Sequence, residues 1–207
     1  VSMFCILLAA YPLSRTSKQF PKRSIFMWIL VFCMLFNGGT VPWYITMKGY
    51  GLVDSIWGLV LGMGLNAYNL ILAVNFFKNL PAELEEAALV DGAEPWKCLV
   101  LIFIPLAKPV IATIALFTIV QYWNEFFRGM VLSARQSNYP LQTYIQQLVV
   151  TYDFSTMNVE QIAQVQKLNK QSLDAAKIVV AMIPVLAVYP FLQKYFVSGI
   201  TLGSIKG

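Results

Sequence analysis

The sequence predicts an all-α membrane protein, a polytopic helical bundle, and three observations predict it. Of 207 residues, 58% are hydrophobic and 12% are charged, about half the ~25% charge of a soluble domain. Apolar segments long enough to cross a bilayer, which takes about 20 residues, recur along the chain. Between the first two of them lie Arg15, Lys18, Lys22 and Arg23, the kind of basic loop that stays on the cytoplasmic side.

Taken in order, residues 1–13 are apolar but too short to span. With no initiator Met before them, they read as the second half of a truncated span. A signal peptide carries its charges ahead of the apolar run, whereas here they follow it. The next span covers 24–47, interrupted at Asn37-Gly38-Gly39 and ending at an interfacial Pro42-Trp43-Tyr44. Further spans are expected at 56–77, 99–123 and 178–197. With the first loop inside, residues 78–97 lie in the cytoplasm and residues 124–177 outside the membrane.

Composition also excludes whole classes. Histidine is absent, so Ser/His/Asp and Cys/His catalytic units and histidine metal sites are ruled out. Cys5, Cys33 and Cys98 sit in or beside apolar runs at wide spacing, which fits neither a disulfide framework nor a metal site. The net charge of +5 forms no basic stripe on a polar domain, so no nucleic acid is expected as a partner. No Gly-x-x-x-x-Gly-Lys-Ser/Thr phosphate loop occurs; Gly199 to Lys206 lacks the Gly-Lys pair.

The inner loop is the informative segment. From Lys78 to Lys97 it is acidic and helical in pattern, with Pro81 suited to a first helical position and Glu83 placed to complement the helix dipole. Gly92 is placed to stop that helix in the left-handed conformation, and Pro95 to start another. The expected product is a helix, a tight turn and a second helix against the cytoplasmic face. Ala87 and Ala88 let a partner approach closely, while Glu86 and Asp91 offer it charges; a solvated interfacial helix with no partner is the alternative.

Glu86-Ala87-Ala88, three residues, Gly92, nine residues, Ile102-Phe103-Ile104-Pro105 resembles the EAA loop of ATP-binding-cassette importer permeases, with Ile104 where Leu is usual. Asp91-Gly92-Ala93, Pro95-Trp96, Trp123-Asn124-Glu125-Phe126 and the glycine-rich terminus from Phe196 to Gly207 are similar to the carbohydrate-uptake, maltose-type branch. Phe36-x-Gly38-Gly39-x-x-Pro42-x-Tyr44, followed by Gly51-Leu52, resembles permeases for oligosaccharides derived from polysaccharides, alginate-type systems among them. The similarity covers essentially the whole chain.

The resemblance implies a single ABC importer transmembrane domain of six spans, N-terminally truncated here, in the bacterial inner membrane. It implies four kinds of partner: a second permease subunit, usually a different chain; two ATP-binding subunits, which would hold ATP and Mg; an extracytoplasmic solute-binding protein; and a sugar substrate. This chain would hold no cofactor or metal of its own and would not be an enzyme. The loop 78–97 would be the coupling loop, with Glu86, Ala87, Ala88, Asp91 and Gly92 contacting one ATPase and Gly203 to Gly207 reaching it as well. Tyr139-Pro140-Leu141 would enter the binding protein's cleft, with Asp153-Phe154 near its far side.

Polar groups inside spans are costly and so mark candidate cavities. Asn66 and Asn69, three apart on one helical face, and Tyr122, Trp123, Asn124 and Glu125 at the outer end of the 99–123 span offer the amides, carboxylate and flat rings that sugars need. Interhelical bonding is the competing role for an intramembrane Asn. Two other functions fit less of the sequence: a permease for another solute in the same superfamily, and an ion-coupled transporter. The latter would need charges buried at mid-span, yet Glu125 is the only acid near a span and Lys108 the only base well inside the inner half of one.

Overall fold

The computed structural model describes residues 1–150, 158–159, 172, 175–184, 186–187 and 190. Asp153 and Phe154, most of the expected span beyond Pro184, and the Gly203 to Gly207 tail therefore lie outside the described residues. Every regular element among the described residues is helical. The chain divides into two compact units, the first containing Val1–Trp43 and Met63–Ile119, the second Tyr44–Gly62 and Val120–Pro190.

The first unit is built on α1 (Ser2–Ser14), which packs most extensively on α5 (Ala67–Lys78), with α2 (Arg23–Leu35) against both. Ile6 and Ala10 of α1, Ala73, Val74 and Phe77 of α5, and Cys98, Phe103 and Ile114 farther along form its buried core. The apolar helix α2 has no buried residue; Trp28 is 73% and Leu35 84% exposed. One side of α2 meets the core through the partly buried Met27 and Leu30; the apolar residues of its open side are stable only against lipid or another apolar surface. After Asn37-Gly38-Gly39 the chain resumes as α3 (Thr40–Gly49).

In the second unit α4 (Ile56–Gly62) lies against α10 (Phe127–Leu132), which in turn meets α11 (Leu141–Val150). No described helix alone is long and apolar enough to cross a membrane. Three broken pairs meet that test together: Arg23–Leu35 with Thr40–Gly49, Ile56–Gly62 with Ala67–Lys78, and Pro95–Leu106 with Lys108–Trp123. These pairs fall on the segments 24–47, 56–77 and 99–123.

Two of the breaks are not apparent from hydropathy alone. Within 56–77 the helix stops at Gly62 and restarts at Ala67, where the Asn66 side chain accepts the Asn69 amide at 3.1 Å and so caps α5. Within 99–123 two prolines act: Pro109 has no N–H to give the Pro105 carbonyl across Ala107, and Pro105 has none to give Leu101, whose carbonyl its ring crowds. The chain answers with a π-helical turn, Leu99–Phe103, whose closing bond runs from the Ile104 amide to the Leu99 carbonyl. It joins α7 (Pro95–Cys98) to α8 (Ile104–Leu106), and at Ala107 the direction turns by 81° into α9 (Lys108–Trp123).

The candidate coupling hairpin and substrate cavity

The inner loop folds as a helical hairpin. Helix α6 covers Ala82–Val90, with Pro81 one position earlier than expected, at the N-cap. Gly92 has φ +76°, a conformation that costs other residues roughly 1–2 kcal/mol. The turn closes through the Gly92 amide on Leu89 O at 3.1 Å and the Ala93 amide on Ala88 O at 2.9 Å, and Pro95 opens α7 at its first position. Glu86, Ala87, Asp91 and Gly92 are exposed and Ala88 is half-buried. Beside them Leu84, Leu89 and Val90 are also exposed, so the hairpin presents small, acidic and apolar groups together.

One residue of α6 is turned the other way. Glu85, which motif reading passed over, is the buried residue of this helix and forms an ion pair with Arg15 just past the end of α1. Tyr11 Oη donates to Glu85 Oε1 at 2.7 Å. The guanidinium lies over the rings of Tyr11 and Phe103, 4.7 and 4.5 Å from their centroids, and also donates to Ser14 Oγ at 2.9 Å. Burial lowers the Arg15 pKa from its ordinary value, with Tyr11 and Cys98 opposing that; a guanidinium stays charged regardless. The only sequence signal was Arg15 itself, which hydropathy counted as a topological charge rather than as half of a pair.

The substrate-path candidates divide by their hydrogen bonds. Asn66 caps α5. Asn69, 1% exposed, donates from Nδ2 to Thr118 Oγ1 of α9 at 3.4 Å, which is the interhelical arrangement. Tyr122 Oη donates to Val60 O at 3.1 Å. Glu125 accepts the Arg128 amide at 2.8 Å and pairs with its guanidinium, holding the start of α10. Trp123 and Asn124 line a cavity of about 610 Å³ with Gln142, Gln146 and Lys177 among its polar groups and Ile145, Ile178 and Met182 among its apolar ones. The indole Nε1 donates to Ala181 O at 2.9 Å, which fixes one edge of the ring.

The second unit also carries a tied loop. Asp54, in the left-handed region at φ 59°, accepts at Oδ1 from the amides of Ala134 and Arg135 and from Asn138 Nδ2, at 3.2, 3.3 and 2.9 Å. Its Oδ2 meets Arg135 Nε at 2.8 Å. Tyr139 and Pro140 follow half-buried, and Leu141 is exposed at the start of α11. No group of His, Cys, Asp or Glu among the described residues is arranged to hold a metal.

Broken apolar helix pairs, long and apolar enough together to span a bilayer, and an exposed acidic hairpin fit a helical membrane protein. Residues 6–202 match the family described as the binding-protein-dependent transport system inner membrane component, and the chain belongs to that family. It is 40% identical over 207 residues to Protein LplC of Bacillus subtilis (strain 168), covering 100% of this chain and 69% of that protein. It is 41% identical to the polygalacturonan/rhamnogalacturonan transport system permease protein YtcP of the same organism, over 100% of this chain and 72% of the relative. The crystal structure of a bacterial ABC transporter involved in the import of the acidic polysaccharide alginate contains a chain that matches at a TM-score of 0.84 and 37% identity. That match covers 94% of this chain and 69% of the other.

Proposed function

We propose that this chain is the membrane-spanning permease of an ATP-driven importer of sugars or oligosaccharides, one half of a translocation path completed by a second permease. The relatives named for polygalacturonan, rhamnogalacturonan and alginate transport support a polysaccharide-derived substrate. A solute-binding protein delivers it outside the membrane, and two ATP-binding subunits, holding ATP and Mg, drive the cycle from the cytoplasm. The spans run across the bacterial inner membrane near 24–47, 56–77, 99–123 and 178–197, preceded by the apolar helix Ser2–Ser14; residues 78–97 are the coupling loop and 124–177 the extracytoplasmic loop.

The observation that carries this reading is the hairpin: Glu86, Ala87, Asp91 and Gly92 stand exposed around a left-handed glycine turn. A partner surface reaches the backbone over Ala87 and Ala88 without meeting bulk, and Glu86 and Asp91 meet its donors. The cavity at Trp123 and Asn124 supports the path assignment, since an indole face with amides and an ammonium suits a sugar ring and its hydroxyls. Tyr122 and Glu125 serve that path by holding the segments on either side of Trp123 and Asn124, while Asn66 and Asn69 order α5 in the first unit.

Gly92→Leu tests the hairpin. A Cβ at Gly92 meets nothing within 4 Å, so the cost to folding is the ~1–2 kcal/mol of the left-handed backbone, and the bulk falls entirely on the partner. In proteoliposomes holding both permeases, the ATP-binding subunits and the binding protein, this variant is expected to reach the membrane at parental levels and to lose most uptake. Normal uptake by Gly92→Leu refutes the docking role.

A further inference from the structure

We propose that the Arg15–Glu85 pair, steadied by Tyr11, is the joint through which the hairpin moves α1, which makes Arg15 and Glu85 positioning residues for transport. The inference rests on the importer reading of the hairpin. Helix α6 is nine residues long, and Glu83, Leu84, Glu86, Ala87, Leu89 and Val90 are all exposed. Its hold on the rest of the first unit is therefore Glu85, with Ala88 and the flanking Leu80 and Ala93 packed in part against the core. Small apolar contacts are non-directional and allow a helix to slide. A buried ion pair does not, because displacement strands a charge out of water with nothing to offset it.

The other end of the pair is built to receive a push. Arg15 follows the last turn of α1 and is held there by its own turn, through Ser14 Oγ and, from Nε, the Tyr11 carbonyl at 3.3 Å. Tyr11 packs edge-on against Phe103 with ring centroids 5.1 Å apart, and Phe103 packs the same way on Phe77 at 5.5 Å. Glu85 is thus tied by charge to α1, and through rings to the π-helical turn and α5. Pro12 lies inside α1 and gives no N–H to Leu8, so the turn bearing Tyr11 and Arg15 is the compliant end of that helix. Because α1 packs along α5, a displacement entering at Glu85 reaches two helices of the core through one contact.

The test is the number of solute molecules imported per ATP hydrolysed by the complete transporter in proteoliposomes, alongside the thermal midpoint of the complex. Glu85→Gln is expected to keep the ATP-binding subunits bound and to lower solute per ATP by about fivefold or more, the lower end of ordinary coupling between sites. The double variant Arg15→Gln/Glu85→Gln leaves no stranded charge, so it is expected to recover the thermal midpoint while solute per ATP stays low. Arg15→Lys keeps the charge and is expected to recover part of the ratio. A double variant that regains both quantities makes the pair merely structural and overturns the proposal, as does a Glu85→Gln complex with parental coupling. If Glu85→Gln fails to assemble, the double variant and Arg15→Lys decide. A parental complex with no solute-stimulated ATP hydrolysis refutes the importer reading and the joint with it; a coupled parent indifferent to these changes refutes the joint alone.

Discussion

Glu85 and Asp54 are both carboxylates that tie a connecting segment to the body of its unit, yet they work under opposite conditions. Glu85 and its partner Arg15 are 9% and 13% exposed at the side chain, whereas Arg135, facing Asp54, is 77% exposed. The Glu85 clamp holds by charge: one ion pair, a phenol and two aromatic faces, shielded from solvent. The Asp54 clamp holds by shape, since most of its bonds go to the backbone amides of Ala134 and Arg135 and to the Asn138 amide group. A charge pair in water contributes little, so a segment open to solvent is better fixed by backbone geometry. A short helix that has to carry force gains from a contact that is costly to break.

Loss of the carboxylate separates the two clamps most widely. Glu85→Ala leaves the Arg15 guanidinium buried without its counter-ion, a change that costs about 3–5 kcal/mol where it has been measured in buried pairs. Asp54→Asn removes the charge facing solvent-exposed Arg135 but keeps an acceptor for the Ala134 and Arg135 amides and tolerates the left-handed backbone. In detergent, Glu85→Ala is therefore expected to lower the thermal midpoint strongly and Asp54→Asn only slightly. Equal shifts would dissolve the distinction between charge and shape.

The same distinction predicts that steric change hurts the Asp54 region more than charge removal does. A Cβ at Gly129 of α10 would lie 2.0 Å from Thr143 Oγ1 and 2.7 and 2.9 Å from the Pro140 ring. Thr143 is 1% exposed and donates to Phe126 O at 2.9 Å, so it has nowhere to move without breaking that bond. Gly129→Ala is expected to cost about 1–3 kcal/mol, the usual range for overpacking, and to open residues 133–140 to limited proteolysis. An unchanged cleavage rate would mean that the loop is not held by this packing.

How much of this was legible beforehand depends on the kind of contact. The hairpin was readable because its determinants are local: Pro81, Gly92 and Pro95 each act on their own backbone, and the structure places helix ends within two residues of them. The interruption at Asn37-Gly38-Gly39 was readable for the same reason. The break at Ala107 was not read because 99–123 is long and apolar enough for one span despite Lys108; Pro105 was taken as a motif identity rather than as a missing donor, and Pro109, whose missing N–H falls across the break, was passed over. Arg15 with Glu85, 70 positions apart, could not be paired from one sequence, since nothing local distinguishes Glu85 from Glu83 or Glu86. Tyr122 and Glu125 were chosen for their chemistry, and their partners, Val60 O and the Arg128 amide, become visible only in three dimensions.

The smallest expected effect is a pH dependence confined to the Asp54 loop. Hydrogen bonding from Asn138 leads in holding the Asp54 carboxyl below its ordinary value of 3.8; desolvation opposes it, and the Arg135 amide and guanidinium and the Ala134 amide add to the lowering. A group whose folded pKa is depressed contributes stability that is complete above the unfolded pKa and lost as pH falls through the folded one. Exchange of the Ala134 and Arg135 amides, corrected for intrinsic rates, is therefore expected to stay flat from neutral pH down to about 4 and to accelerate only below it. Asp54→Asn keeps an acceptor for both amides and tolerates the left-handed backbone, so it should remove the acid step while leaving neutral-pH protection close to parental. A loop that loosens already near pH 6, or an acid step that survives in Asp54→Asn, would place the controlling charge elsewhere and leave shape alone to explain how this segment is held.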